Sequence, residues 1–451
     1  MDTGSHRVRR PATVRRMILR DPVHGLVSFE APESCLVPRL LDAREVQRLR
    51  RIRQLGLTSL AFPGAEHTRF AHAIGAAHVM TLLLDRLRSI EHMLPVEHRI
   101  TPRDAREAVA AAFLHDVGHG PLSHLFEESV PGLPKHEHWT DAIVRDSGTD
   151  VHRILEAQAE GTAERVAALV RGEHRLPYLA HSVSGLFDID RCDYLLRDAH
   201  ATGVRYGDFD LPWLLRSLLV HDAPHRGPEL AIDGAKGVPA IEAFLIARLF
   251  MFQQVYLHKA TRAAEWMVRA VIRRAVERHQ QGHTPDHFPA ALREAALGTR
   301  PTLGAYLELD DAWLTTAMHA WERDADPILS NLCERLRSRA LFKTLEIFGE
   351  DAKPSSMGAL LAHAQTVVRE AGGDETYDVH LDEAIVVPFN EPSDDPMMVL
   401  FAKGPARPLR EVSFLLERIA GASIRRVRVV MAPEHRDRLV AALRSDGGPS
   451  A

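Results

Sequence analysis

The chain has 451 residues, 45% apolar and 26% charged, which is two to three domains' worth of globular composition and excludes disordered and collagen-like classes. Its 56 Lys and Arg against 61 Asp and Glu leave a net charge of −5, so no strong overall field draws it to nucleic acid or anionic lipid. Three cysteines, Cys35, Cys192 and Cys333, lie far apart without CxxC spacing, which excludes a disulfide framework and a thiolate zinc site and fits a reducing cytoplasm.

The first twenty residues carry six arginines, Arg7, Arg9, Arg10, Arg15, Arg16 and Arg20, and lack the apolar core of a signal peptide, so they read as a basic arm. No later stretch approaches about 18 uncharged apolar residues, and no membrane span is expected. A short strand is expected over 25–29, after the turn-like Asp21-Pro22. Helical spacing then governs 42–130, in Val46, Leu49, Ile52 and Leu55, in Val79, Leu82, Leu83 and Leu87, and through 108–114. It continues through 153–170, 211–220, 241–274, 288–297 and 312–337, with one strand over 229–232. Beyond Phe342 the pattern changes. Apolar, β-branched runs at 384–388, 397–402 and 424–431 are separated by Pro, Gly and Asp, and a helix is expected over 433–444. The expected fold is mainly α: an arm 1–20, a helical core 21–340, a small α+β region 341–444 and a frayed tail 445–451.

Histidine is over-represented, with 26 in the chain and ten between His67 and His138. Imidazole titrates near neutrality and is a common transition-metal ligand, so this density points to metal or acid–base chemistry. The densest block runs Phe113-Leu114-His115-Asp116-Val117-Gly118-His119-Gly120-Pro121-Leu122-Ser123-His124. There an apolar helix delivers an adjacent His and Asp and is then broken by Gly118, Gly120 and Pro121. A neutral nitrogen beside an anionic oxygen suits a divalent ion, but two ligands do not complete a site. His72 is one further candidate; Asp190 or Asp193 is the other.

The series His72, His115-Asp116, Asp190 resembles the H…HD…D signature of the HD superfamily of metal-dependent phosphohydrolases. Flanking blocks narrow the likeness: Asp21-Pro22-Val23-His24-Gly25, the segment Gln47-Arg48-Leu49-Arg50-Arg51-Ile52-Arg53-Gln54-Leu55-Gly56, Phe62-Pro63-Gly64-Ala65, and 188–198. Together, over about 21–262, they resemble the deoxynucleoside triphosphate triphosphohydrolases. They resemble in particular the branch that contains the vertebrate enzyme joining a sterile-alpha-motif domain to an HD domain and its bacterial relatives; no such module is expected before the likeness here.

The resemblance implies an HD-domain helical fold and His72, His115, Asp116 and Asp190 as ligands of iron, manganese, zinc, nickel or cobalt, with Mg²⁺ on the nucleotide phosphates. It implies proton transfer by His119, Glu127 and His136, and contact of His124 with the phosphates. Arg69, three residues before His72 on a helix, would clamp phosphate on the metal's side. Arg191 and Arg248 would add positive charge, while Gln54, Tyr194, Asp198 and Tyr256 would hold the sugar and select deoxyribose. Asp42, Gln47 and Arg50 resemble a guanine-reading activator pocket for dGTP or GTP, with His258 and Lys259 near a second activator, in a dimer or tetramer. The lysine expected in that pocket is replaced by Met17 beside Arg16. Alternative expectations are an HD phosphohydrolase for nucleoside monophosphates or cyclic nucleotides, or a non-catalytic protein that binds nucleotides or nucleic acid through its basic arm.

Overall fold

A computed structural model of the protein describes residues 17–130, 132–185, 187–223, 227–387, 396–419 and 423–445. Most of the basic arm, the tail beyond Ser445 and the end of the 384–388 run lie outside the described residues. The expected strand at 25–29 has a partner that the sequence did not reveal: β1 (Ile18–Asp21) pairs antiparallel with β2 (Gly25–Ser28). The Asp21 Oδ1 accepts the backbone N–H groups of Val23 and His24, both at 2.9 Å, and this Asx-type turn closes the hairpin.

Helix α1 (Arg69–Ile90) buries Ala73, Ala76 and Ala77, and α2 (Pro102–Leu114) buries a run from Ala108 to Leu114. Small side chains let these two helices pack closely. Helix α2 starts on a capping box in which Thr101 and Asp104 satisfy each other's backbone N–H, with Pro102 at the first turn. Two short helices, α3 (His124–Ser129) and α4 (His136–Arg145), follow the glycine-broken block. The 153–170 pattern is not one helix but two, α5 (Asp150–Glu156) and α6 (Thr162–Val170), parted by Gly161 at φ 75°. Helix α7 (Ile189–Thr202) is capped by the Asp188 carboxylate and ends at Gly203, φ 76°. A Cβ on Gly75 of α1 would collide with Asp193 and Arg197 of α7, so glycine permits this close approach.

The 211–220 pattern likewise divides, into α8 (Leu211–Arg216) and β3 (Leu218–Ala223), because β3 pairs antiparallel with β4 (Gly227–Asp233). Then come α9 (Val238–Met251), a π turn at Phe252–Tyr256, and α10 (Lys259–Gln280). The stretch Val238–Tyr256 is long and apolar enough to cross a membrane by length and composition. It is interrupted by Glu242 and Arg248, and it buries Ile241, Phe244 and Met251 in the core. The 312–337 pattern splits into α11 (Asp311–Trp321) and α12 (Pro327–Arg337), the latter restarted by the Asp326 cap and Pro327.

Residues beyond Phe342 go to two places. Strand β5 (Lys343–Ile347), helix α13 (Pro354–Glu370), β6 (Val379–Val386), β9 (Ile424–Met431) and α14 (Arg436–Ser445) form a small unit whose sheet has the order β5-β9-β6. Between them β7 (Met398–Leu400) and β8 (Arg407–Pro408) leave that unit, and β7 adds in parallel to β4, Ala231 opposite Met398. Helix α13 escaped the sequence reading because its exposed, weakly patterned residues bury only Ala364 and Val368.

Two large apolar clusters organise the helices. One gathers α1, α2 and α7 around Phe113, Leu114 and Ile189. The other gathers α10, α11 and α12 around Trp266, Trp321 and Leu332, and it includes Leu122, Phe126 and Trp139 from the glycine-broken block and the helices after it. The histidine-rich segment lies where the two clusters meet.

Candidate active site

Three helices of the first cluster bring four side chains together. His72 from α1, His115 and Asp116 from the end of α2, and Asp190 from the first turn of α7 face one another. The His72 Nε2 lies 3.3 Å from His115 Nε2, 3.0 Å from Asp190 Oδ1 and 3.6 Å from Asp116 Oδ2. His115 Nε2 is 3.4 Å from Asp116 Oδ1 and 3.5 Å from Asp190 Oδ1. Donor atoms each about 2.0–2.2 Å from a shared ion stand about 3.0–3.6 Å apart, so His72, His115 and Asp116 are spaced to hold a divalent cation, with Asp190 beside the two imidazoles. Of the two aspartates that sequence left open, Asp190 faces the cluster, whereas Asp193 lies behind His72 and accepts from its Nδ1 at 2.8 Å.

The rear nitrogens of both rings are occupied. His115 Nδ1 meets the carbonyl of Ala112 at 2.9 Å, so each imidazole donates backward and presents Nε2 to the cluster. Burial pulls His72 down, but the hydrogen bonds and charges of Asp190 and Asp193 outweigh it and hold its pKa at about 10. His115 is raised against the same burial, chiefly by the charges of Asp116 and Asp190.

Beside this quartet a second group stands on the turn after α2 and on α3 and α4. The His119 and His136 rings stack with centroids 3.8 Å apart, and His124 packs edge-on to both at 4.9 Å. Glu127 faces His124 Nδ1 at 2.7 Å and His136 Nδ1 at 3.4 Å. Burial opposes ionisation of Glu127, yet contacts with His124 and His136 hold its carboxyl well below the usual range. His119 Nε2 lies 3.2 Å from Asp116 Oδ1 and so joins the two groups. Burial and the neighbouring Arg69 charge push its pKa well below that of free imidazole, with Asp116 opposing.

The turn between the groups is tightly held. Leu122 and Ser123 adopt positive φ, 52° and 62°, which costs of order 1–3 kcal/mol per residue and must be imposed by surrounding bonds. Asp311 at the start of α11 accepts the Leu122 N–H at 2.8 Å, and Tyr306 donates to the Gly118 carbonyl at 2.8 Å. Buried Arg48 donates to the His119 carbonyl at 2.7 Å. Arg48, Tyr306 and Asp311 were not singled out by sequence; only the placement of Arg48 in the 47–56 block was available as a signal.

The other expected site residues divide. Gln54, Arg69, His124 and Tyr256 line one cleft together with Ser123 and Glu265. Arg69 is not free within it: its guanidinium contacts Asp116 and donates through Nε to Ser123 Oγ at 2.8 Å. Tyr256 donates to Asp198 Oδ2 at 2.7 Å, His67 Nε2 meets Asp198 Oδ1 at 2.8 Å, and the Tyr194 ring lies 6.4 Å from Tyr256. Arg248 lies over the Phe252 ring and close enough to Tyr194 to act on it electrostatically. Arg191 binds back to Asp188, the cap of its own helix.

The activator candidates are more scattered. Arg50 donates to Gln47 Oε1 at 2.9 Å and covers the Phe70 ring, while the Gln47 amide donates to the Leu41 carbonyl. Asp42 lines a separate cleft with Arg39, Asp150 and Arg153. His258 caps α10 and packs its ring 5.4 Å from Phe62, with Lys259 next in the helix.

This arrangement has counterparts. Residues 69–198 match the HD domain and residues 216–445 match the HD associated region. The chain belongs to the HD-domain family. A relative from Bacillus subtilis, the uncharacterized protein YwfO, is 32% identical over 90% of this chain and 89% of its own. The deoxynucleoside triphosphate triphosphohydrolase SAMHD1 of Gallus gallus is 28% identical over 65% of this chain, and the matched part is 51% of that protein. The crystal structure of a phosphohydrolase from Bacteroides thetaiotaomicron superposes with a TM-score of 0.77 at 28% identity, covering 92% of this chain and all of that one. This HD-domain chain therefore shares its fold with phosphohydrolases and has a donor set able to hold a divalent metal.

Proposed function

We propose that the protein hydrolyses deoxynucleoside triphosphates to deoxynucleoside and inorganic triphosphate. The observation that carries this reading is the quartet of His72, His115, Asp116 and Asp190, in which the two imidazole Nε2 atoms lie 3.0–3.6 Å from each other and from the carboxylate oxygens, set beside the His119–His136 stack and the cleft of Gln54, Arg69 and Tyr256. Relatives that bear the name deoxynucleoside triphosphate triphosphohydrolase support it. Residues 21–340, with 396–419 packed onto them through β7 and Leu409, would form the catalytic unit and the rest of 341–444 a smaller α+β region, in a cytoplasmic protein.

A divalent transition metal held by the quartet would supply a Lewis acid for the α-phosphate and for water. The protein's own residues do the rest. A water oxygen bonds to the α-phosphorus, the bond from phosphorus to the 5′ oxygen breaks, and the water gives up a proton while the 5′ oxygen gains one. His119 and His136, backed by Glu127, carry that proton. Burial and the Arg69 charge keep the His119 pKa low in the free protein, and phosphate charge beside it would raise its proton affinity. Arg69, Arg191, Arg248 and His124 balance phosphate charge, and Arg69 must exchange its Asp116 contact for the substrate. Tyr194 packed beside the sugar leaves no room for a 2′-hydroxyl, and Gln54, Asp198 and Tyr256 hold the 3′ side. Asp42, Gln47, Arg50, His258 and Lys259 are assigned to dGTP or GTP activation in a homo-oligomer.

Incubation of the purified protein with each dNTP and Mn²⁺ or Mg²⁺, followed by separation of products, tests the reaction. Triphosphate and deoxynucleoside are expected; pyrophosphate or orthophosphate in their place overturns it. Light scattering with and without dGTP tests assembly, for which at least a dimer is expected.

A further inference from the structure

The hairpin motif Asp21-Pro22-Val23-His24-Gly25 has no part in the reaction as described, yet its side chains reach the rear of the metal quartet. His24 Nε2 lies 2.6 Å from Asp193 Oδ1. Asp193 Oδ2 accepts from His72 Nδ1 at 2.8 Å, and the His72 and Asp193 side chains are both fully buried. Arg197, one turn further along α7, grips both oxygens of Asp193, through Nε at 2.8 Å and Nη2 at 2.9 Å. Arg197 Nη1 in turn donates to Asp21 Oδ2 at 2.8 Å. The same Asp21 carboxylate closes the hairpin turn with its other oxygen.

The geometry points to a positioning role for the hairpin: His24, with Arg197, fixes the Asp193 carboxylate, which sets the ring orientation of His72 and presents its Nε2 to a divalent cation. A carboxylate behind a ligating imidazole fixes the tautomer and makes the inward nitrogen a better donor. Here that carboxylate is itself held by four contacts from three directions, so it cannot rotate toward the quartet to act as a ligand. Glycine at position 75 keeps the path open, because a Cβ there would strike the Asp193 carboxylate. The role explains two features with no place in the hydrolysis itself: a charged network sealed in the core, and a hairpin whose turn is locked by the aspartate that anchors Arg197. Asp193 and His24 are positioning residues, since neither faces the inward side of the quartet.

The inference rests on the quartet being a metal site, and the experiment separates the two. Mn²⁺ affinity is measured by calorimetry on the full chain, with Co²⁺ absorption as a report of ligand geometry. The wild type is expected to bind and His72→Ala to fail; a wild type that binds no metal overturns the metal reading and this inference with it. Given wild-type binding, Asp193→Asn is expected to weaken affinity by about 10–100-fold and to alter the Co²⁺ spectrum. Unchanged affinity and spectrum in a folded Asp193→Asn protein overturn the role of Asp193. If that variant does not fold, the hairpin is tested alone: His24→Ala is expected to weaken Mn²⁺ binding and His24→Gln, which keeps a donor, to restore much of it. Equal binding by wild type and His24→Ala overturns the assignment.

Discussion

The two halves of the candidate site are built differently. His72, His115, Asp116 and Asp190 sit on the ends and faces of three core helices, with partners behind both imidazoles. His119, His124, Glu127 and His136 stand on a strained turn and two short helices over the second apolar cluster, and the His124 side chain is 60% exposed. The first half is arranged for fixed geometry, which ion binding requires. The second opens to solvent at His124, while its His119 side chain is only 2% exposed beside Asp116.

The largest expected effect tests that division. His115→Ala or Asp116→Ala should lose bound metal and activity together, read by elemental analysis beside turnover. His119→Ala should keep its metal and lose about 10²–10⁴-fold in rate, the usual contribution of a placed acid–base group. A His119→Ala protein emptied of metal would merge the halves. Glu127→Gln should keep metal as well, with a smaller loss of rate than His119→Ala, because it acts through His136 and His124 and not on the substrate.

Stability gives a further separation. A Cβ on Gly118 would collide with the backbone of His136 and Thr140, which holds α4 against the end of α2. Gly118→Ala should cost about 1–3 kcal/mol in chemical denaturation. The smallest effect lies outside both halves. His380 stacks on Trp266 at 3.8 Å, and burial lowers its pKa to about 4. Between pH 6.5 and 4 the unfolded chain takes up this proton and the folded chain does not, so stability falls as pH falls through that window. His380→Phe should keep the stack and reduce that fall, seen in melting temperature from pH 7 to 4.

How legible each half was in the sequence follows from its construction. The quartet could be read because adjacent His and Asp at the end of an apolar helix leave a mark in the sequence, and the family likeness supplied His72 and Asp190. The choice of Asp190 over Asp193 came from the register of that likeness and not from residue physics: three residues apart on one helix, the two differ in what packs against them. Arg48, Tyr306 and Asp311 hold the strained turn from distant parts of the chain, and no local pattern marks an arginine that donates to carbonyls. Helix boundaries at Gly161 and Ser217 failed for a related reason. Apolar spacing continued across a left-handed glycine, and Leu218–Val220 served a strand because β4 was there to pair with it.

Asp311 carries a consequence for protein engineering. It bonds Leu122 in the histidine block and also the backbone N–H of Arg53 at 3.0 Å, although it lies well over a hundred residues beyond either. A fragment cut at the end of the 69–198 match would contain every candidate ligand and every proton-transfer candidate, yet lack the carboxylate that shapes the turn between them. Grafting that segment into another scaffold would therefore move the reagents without the mould. The portable unit runs at least through α11, and chimeras should be joined beyond it.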